Sequence, residues 1–447
     1  MINRILISQL RDWKERSNRK PLILRGARQV GKTTLINEFS KDFPVYLKLN
    51  LENTSDRELF QQYDDIHELT NAIYLFNHQL KQDVPTLLFI DEIQNSLKAV
   101  AMLRYFYEEI GHIHVVAAGS LLESLLDKQR ISFPVGRVEY MALRPCSFLE
   151  FLDGIGEDFD ANLVRTQEAS PVHERIMRLF NIYTIVGGMP AAVMQYAENR
   201  DILSVTPIYE SLLESYRDDA EKYATNETAI RTIRHLLQVG WNYAGETISF
   251  EGFGGSHFKS REMGDAFRTV EKALLLELVY PTSETRLPVL PDFRKKPKLI
   301  WMDTGLVNYI AGIQTELFIS ADILDVWRGR IAEQITAQEL LTLDSRVSVK
   351  RNYWRRNKAG SDAKVDFVYP YNGKLIPIEV KSRHNAHLRS LHQYMETTPH
   401  DIAVRVWSQP FSVNQATTPQ GKEFRLINLP FYYLGILNEV LSDFLRN

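Results

Sequence analysis

Three short stretches of this 447-residue chain carry residue types at spacings that could do chemistry. The first is Gly26-Ala27-Arg28-Gln29-Val30-Gly31-Lys32-Thr33, followed by Thr34, which fits the spacing GxxxxGK[ST]. Glycines let such a loop curl until successive backbone N–H groups face one anion. A helix starting at the loop would add its positive end. Lys32 would reach the β- and γ-phosphates of a nucleotide, and the Thr33 hydroxyl would ligate Mg²⁺. The bland alternative is a glycine turn without a ligand.

The second stretch is Leu87-Leu88-Phe89-Ile90-Asp91-Glu92, an apolar run ending in two carboxylates. In a parallel sheet, ligands bind at the carboxyl ends of strands. Asp91 would stand near Thr33 and help hold Mg²⁺, and Glu92 would polarise the attacking water. A further apolar run, Val115 to Ala118, leads to Gly119-Ser120. Ser120 would sense the γ-phosphate, or is simply a turn serine. Arg137 is the candidate donor of positive charge in the transition state, with Arg144 as its competitor and an ordinary surface arginine as the alternative to both.

The third stretch is near the C-terminus. Val365-Asp366-Phe367-Val368-Tyr369 and Leu375-Ile376-Pro377-Ile378-Glu379-Val380-Lys381 flank Asn372-Gly373, a strong hairpin signal. With Asn372 and Gly373 as the turn residues, Asp366 lies opposite Glu379, and Lys381 shares their face. Paired carboxylates repel unless a divalent cation with oxygen ligands, Mg²⁺ or Mn²⁺, sits between them. Glu333, on a preceding helix, would be a further acidic ligand. The lysine would then stabilise a phosphorane or position water. Asp-x(12)-Glu-x-Lys is the signature of the PD-(D/E)xK nuclease fold. Its competitor is a salt-bridged hairpin in which Lys381 neutralises Glu379, with Glu333 a solvated helix residue.

These stretches need elements to hold them. Ile2, Ile5, Leu6, Leu10 and Trp13 recur at helical spacing. Apolar strands at 21–24, 45–51, 86–90 and 115–118, separated by helical stretches, imply a parallel sheet covered on both faces. Residues 147–218 read as mostly helical, broken at Val186-Gly187-Gly188-Met189-Pro190. Residues 226–281 read as a small helical bundle ending in a strand, with a second helix over 267–276. Residues 287–298, with three prolines and a basic cluster, read as an exposed connector.

Composition bounds the rest. At roughly 150 residues per domain the length suggests about three domains. Charged residues make up 24% and hydrophobic residues 44%, as in a folded chain rather than a disordered one. No apolar run reaches 18 residues, and the first twenty residues lack the apolar core of a secretory signal. The single cysteine, Cys146, excludes an intrachain disulfide, fits a cytoplasmic protein, and reads as a small buried hydrophobe. With 53 basic and 56 acidic residues the net charge is −3, against bulk coating of nucleic acid. A local exception runs from Arg346 to Lys364, where seven basic residues face one acid.

On these motifs the chain resembles a large bacterial and archaeal family of AAA-type P-loop ATPases. The phrases that carry the resemblance are Pro21 to Thr33, Gly136-Arg137, Arg144 to Phe148, and the lid turn Gly188-Met189-Pro190, with Lys298 to Leu306 further on. The resemblance implies an α/β fold: a P-loop NTPase parallel sheet (1–150), a helical lid (151–220), a winged-helix-like middle domain with connector (221–318), and a C-terminal α/β restriction-endonuclease-like domain (319–447). It implies ATP and Mg²⁺ as cofactors, and ATP, DNA and further copies of the chain as the partners to test, without a membrane. The function expected is ATP hydrolysis coupled to a nuclease-like domain acting on DNA. The alternative is a nucleotide-driven switch or scaffold whose nuclease-like domain only binds DNA or protein, with a protein-remodelling ATPase as a weaker third.

Overall fold

Alternation along each strand decides the first sheet. Leu22 and Leu24, Leu87 and Phe89, and Val116 and Ala118 pack into one core, while Ile23, Leu88, Ile90, Val115 and Ala117 pack into another. A strand apolar on both faces must be sandwiched between layers, which is where parallel strands occur. The computed structural model, which describes residues 2–119, 136–224, 226–314, 329–357, 363–381 and 388–445, shows this sheet. Its strands are β1 (Leu22–Arg25), β2 (Val45–Asn50), β3 (Thr86–Asp91), β4 (Ile113–Ala118) and β5 (Glu139–Ala142), in the order β2-β3-β4-β1-β5. All pairings are parallel. The helices Leu6–Glu15 and Lys32–Phe39 cover one face, and Ile66–Phe76 and Leu97–Glu109 the other.

Strand β5 is not announced by an apolar run, because Glu139 and Tyr140 face outward while Met141 and Ala142 are buried. It forms as the edge partner of β1, with Leu22 opposite Glu139 and Arg25 opposite Ala142.

The stretch after the first sheet, read as the lid, is mostly helical. Helix Phe148–Gly154 starts in a capping box in which the Ser147 hydroxyl and the Glu150 carboxylate each take a backbone N–H. The helices His173–Val186, Pro190–Asn199 and Thr206–Tyr223 follow.

Two corrections fall in the middle segment. Its second helix runs Ser260–Lys272 rather than 267–276, and Leu274, with φ of +61°, ends it. Ala273, Leu274 and Leu275 lie between that helix and β6 (Leu276–Thr282), which Leu276 opens. The connector over 287–298 is exposed at Leu287, Leu290 and Phe293, but Lys298 is wholly buried and opens β7 (Lys298–Trp301).

The second sheet has eight strands in the order β12-β13-β11-β10-β9-β8-β6-β7. Besides β6 and β7 these are β8 (Asn352–Arg355), β9 (Lys364–Tyr371), β10 (Lys374–Lys381), β11 (Ile402–Trp407), β12 (Ser412–Thr417) and β13 (Glu423–Pro430). Because β6 pairs with β8, strands from both sides of position 318 share one sheet. Helix Arg330–Thr342 closes the β7 edge: the Gln334 amide takes the Trp301 N–H at 2.9 Å and donates to the Trp301 carbonyl at 2.6 Å. Among the described residues, no helix is long and apolar enough to cross a membrane.

Candidate functional site

The glycine loop leaves β1 at Arg25 and feeds helix Lys32–Phe39 through Gly31, whose φ of +93° is costly for a residue with a Cβ. A Cβ on Gly26 would meet the Leu143 carbonyl oxygen at 2.6 Å, so the turn must be glycine there too. Lys32 is 7% exposed, and its ammonium donates to the Gly26 and Ala27 carbonyls at 3.0 Å each. Burial pulls its pKa down, while Glu92 and Asp91 act in the other direction. The Thr33 hydroxyl donates to Asp91 Oδ2 at 2.6 Å. The two groups expected to hold Mg²⁺ therefore stand side by side, as oxygen donors of the kind that ion takes.

Glu92 follows Asp91 in the left-handed region, φ +51°, where the strand ends. Burial raises its pKa. Gln94, which the sequence did not flag, donates its amide to Glu92 Oε2. The other amide atom, Gln94 Oε1, is buried without a partner.

Around the loop the structure adds three groups missed in the sequence. Arg4 donates to the Val30 carbonyl at 2.9 Å and to Glu150 Oε1 at 3.1 Å, latching the N-terminal segment onto the loop and the lid. Asp219 on the lid helix, 1% exposed, accepts from Arg28 at 2.9 Å. Tyr216 on the same helix donates to the Arg28 carbonyl at 3.2 Å. Beside Gly31 and Thr34 opens a cavity of about 660 Å³, lined by Ile2, Arg4, Leu35, Pro190 and Met194. Its apolar walls and few polar groups are those of a small-molecule site.

Not every expected residue is here. Ser120 lies outside the described residues. Arg137 precedes β5, at the opposite end of the sheet from the loop, and pairs with Glu108 at 2.7 Å. It does not serve the phosphate site of its own chain. Arg144 is fully buried, which lowers its guanidinium to about 10. Cys146 is buried as read, its thiol pushed up to about 12 by that burial.

At the C-terminal hairpin the turn residues Asn372 and Gly373 have φ of +43° and +73°. The register Lys374 to Tyr371 through Ile378 to Phe367 continues to place Glu379 opposite Asp366. Lys381 pairs with Glu379 at 2.7 Å. Burial, then the nearby Asp366, pushes Glu379 up to about 7, and its Oε2 has no partner. Glu333 is also drawn in, but by a residue the sequence placed outside. Lys298 donates to Glu333 Oε2 at 2.6 Å, and to both Asp366 Oδ1 and the Asp366 carbonyl at 3.3 Å. The divalent metal expected on Glu333, Asp366 and Glu379 thus meets an ammonium already seated among them. Among the described residues no group of three or more His, Cys, Asp or Glu is arranged to hold a metal ion.

Of the seven basic residues from Arg346 to Lys364, three are paired with acids among the described residues. Arg346 pairs with Asp344, Lys350 with Glu271 at 2.9 Å, and buried Arg351 with Glu277. Tyr353 and Trp354 are in the core. Lys358 and Asp362 fall outside the described residues.

Comparison with known proteins divides the chain in three. Residues 18–152 match a family described as AAA domain, 177–317 a domain of unknown function (DUF8612), and 328–432 another (DUF4143). No curated protein matches the chain. Solved structures that align include the Walker-type ATPase PABY2304 of Pyrococcus abyssi, with 14% identity over 70% of this chain and 96% of that one, TM-score 0.45. The ORC2 protein of Aeropyrum pernix, in ADPNP–ADP complexes, aligns with 11% identity over 71% and 96%, TM-score 0.32. PCH-2 of C. elegans aligns with 12% identity over 47% and 67%, TM-score 0.28. Residues 18–152 thus match an AAA domain over the stretch that carries the GxxxxGK[ST] loop on a five-stranded parallel sheet.

Proposed function

We propose that the chain binds ATP with Mg²⁺ at residues 26–34 and hydrolyses its γ-phosphate. The observation that carries this reading is the pairing of two neighbours: Lys32, held among the described residues by loop carbonyls, and Thr33, hydrogen-bonded to Asp91. A phosphate oxygen outcompetes a neutral carbonyl for an ammonium, because the bond becomes charge-assisted at both ends. Mg²⁺, when bound, neutralises charge on the β- and γ-phosphates, and Thr33 and Asp91 are the groups that would hold it. Glu92, kept in place by Gln94, orients the attacking water. The cavity beside Gly31 takes the base and ribose.

The test is turnover of ATP in magnesium buffer. Glu92→Gln should keep nucleotide binding and lose turnover, and Lys32→Ala should lose both. Wild-type turnover by Lys32→Ala would sink the proposal.

For the C-terminal half, the Lys298 geometry favours the switch over the nuclease. Lid turn and hairpin are joined by one stretch: Asp303, two residues past β7, accepts the Gly188 N–H at 2.6 Å, while Lys298 at the start of β7 binds Asp366 of the hairpin and Glu333 of helix Arg330–Thr342. We read residues 298–303 as the link by which nucleotide state at the lid reaches the second sheet. Salt-dependent DNA binding without cutting of supercoiled, branched or single-stranded DNA in Mg²⁺ or Mn²⁺ would support the switch. Cleavage abolished by Asp366→Asn would restore the nuclease.

A further inference from the structure

We infer that Lys298 is a resident cation standing in the place of a divalent metal, so that the cluster Glu333, Asp366 and Glu379 is closed to Mg²⁺ and Mn²⁺ as built. This deepens the switch reading of the C-terminal half and is independent of ATP hydrolysis.

The argument starts from what a buried ammonium needs. Lys298 has three N–H bonds to satisfy and no exposed surface. It finds three oxygens, Glu333 Oε2, Asp366 Oδ1 and the Asp366 carbonyl. The rings of Tyr353 and Phe367 flank it, with centroids at 5.2 and 5.3 Å. Burial disfavours its charge, but Asp366 and Glu333 outweigh that and hold it protonated, above the usual lysine range. The coordination is therefore complete without a metal.

Charge and space agree. Three carboxylates face Lys298 and Lys381, and the pairs Lys298–Glu333, Lys298–Asp366 and Lys381–Glu379 use both ammonium groups. Asp366 has both oxygens engaged, Oδ1 with Lys298 and Oδ2 with the Val380 N–H at 3.0 Å. Among the described residues Glu379 Oε2 is the buried carboxylate oxygen of the cluster left without a partner, and the two ammonium groups beside the acids oppose the entry of a dication. The lysine comes from the middle segment and its acids from the C-terminal one, so the closed cluster also ties one to the other.

The test is Mn²⁺ binding to the full chain without nucleotide, read by electron paramagnetic resonance. Wild type, Asp366→Asn and Glu379→Gln should bind Mn²⁺ alike, within twofold. Lys298→Met, which keeps the volume and removes the charge, should gain one further equivalent, at least tenfold tighter than any Asp366-dependent binding in wild type. Adding Asp366→Asn to Lys298→Met should abolish the gain. A wild-type equivalent lost in Asp366→Asn or Glu379→Gln overturns the inference. So does a Lys298→Met variant with native circular dichroism that gains none. Should Lys298→Met not fold, the wild-type comparison decides alone: equal binding upholds the inference, a difference overturns it. None of these readouts depends on turnover at the P-loop.

Discussion

Two lysines, each buried near carboxylates, have opposite fates in this molecule. Lys32 is nearly buried and, among the described residues, bonded to the carbonyls of Gly26 and Ala27 alone. Lys298 is wholly buried and bonded to two carboxylates and a carbonyl. The first is held by dipoles, which an incoming phosphate can replace with full charge. The second is held by full charges, and nothing arriving from solvent offers more. The strength of an ion interaction in a low-dielectric site turns on whether the partner carries a net charge. A lysine kept on neutral acceptors is available for a ligand, whereas one kept on carboxylates is part of the structure.

The comparison breaks most readily at Lys298. Removing one member of a buried ion pair leaves the others uncompensated, at a cost of about 3–5 kcal/mol. Lys298→Ala should therefore shift the urea midpoint of the chain strongly, and Lys298→Met/Asp366→Asn/Glu333→Gln should recover much of the loss. If Lys298→Ala melts like wild type, the ammonium is not the keystone described here. Lys32→Ala should do the reverse, changing stability by less than about 1 kcal/mol, since the loop carbonyls it leaves can turn to water. Its cost falls on turnover: removal of an electrostatic donor lowers rate by about 10²–10³-fold. Glu92→Gln belongs at the same scale, and a loss under tenfold for either would remove that residue from the reaction.

The region between the two sites should announce itself through pH. Glu339 accepts the Tyr183 hydroxyl at 2.6 Å and the Phe148 N–H at 3.1 Å, and Gln338 ties Tyr183 to the Thr304 N–H. Burial pushes Glu339 up to about 7 and Asp303 to about 6. Unfolded, both titrate near the ordinary carboxylate values, about 4. Between about pH 4 and 7 the folded chain holds protons that the unfolded chain has released, so stability falls as pH rises through that window and levels above it. Glu339 alone accounts for about 2 kcal/mol between pH 5 and 7, at 1.36 kcal/mol per unit. Glu339→Gln should flatten the curve, gaining on wild type at pH 8 but not at pH 5. A midpoint in urea that rises from pH 5 to 7 would contradict the burial argument.

How much of this was legible follows from sequence distance. The phosphate loop is eight consecutive residues, so its chemistry is written locally. The Asp366–Glu379 pairing was legible because the two-residue Asn372-Gly373 turn leaves one register, and the positive φ at both positions is what that turn requires. Lys298 was not legible. It follows Lys295 and Lys296 in a proline-rich stretch, and its partners lie 35 and 68 residues away. The one local hint is the apolar run Leu299 to Met302 that it opens. The acids that answer part of the basic run were hidden for the same reason: Lys350 and Arg351 are met by Glu271 and Glu277, more than 70 residues upstream. Local motifs show which groups are present, but long-range pairing decides which are free.

The smallest effect expected sharpens the point from the P-loop side. Arg28 sits inside the phosphate loop, but its guanidinium is answered by Asp219 on the lid helix at 2.9 Å, and Asp219 also takes Lys222. Asp219 itself is 1% exposed, while the Arg28 side chain is 39% exposed. Water screens the arginine end, so the pair contributes no more than about 1 kcal/mol to stability. Its weight lies in register: with Tyr216 on the Arg28 carbonyl, it fixes the lid over the loop. Asp219→Asn keeps the size and drops the charge, so the lid should loosen while the fold stays. The apparent Kd for ATP should rise about two- to fivefold, with turnover at saturation nearly unchanged, because a looser lid lowers the fraction of chains competent to bind. A fall in saturated turnover with Kd unchanged would instead place Arg28 and Asp219 in the chemical step, and the contrast between an available and a committed cation would have to include the arginine as well.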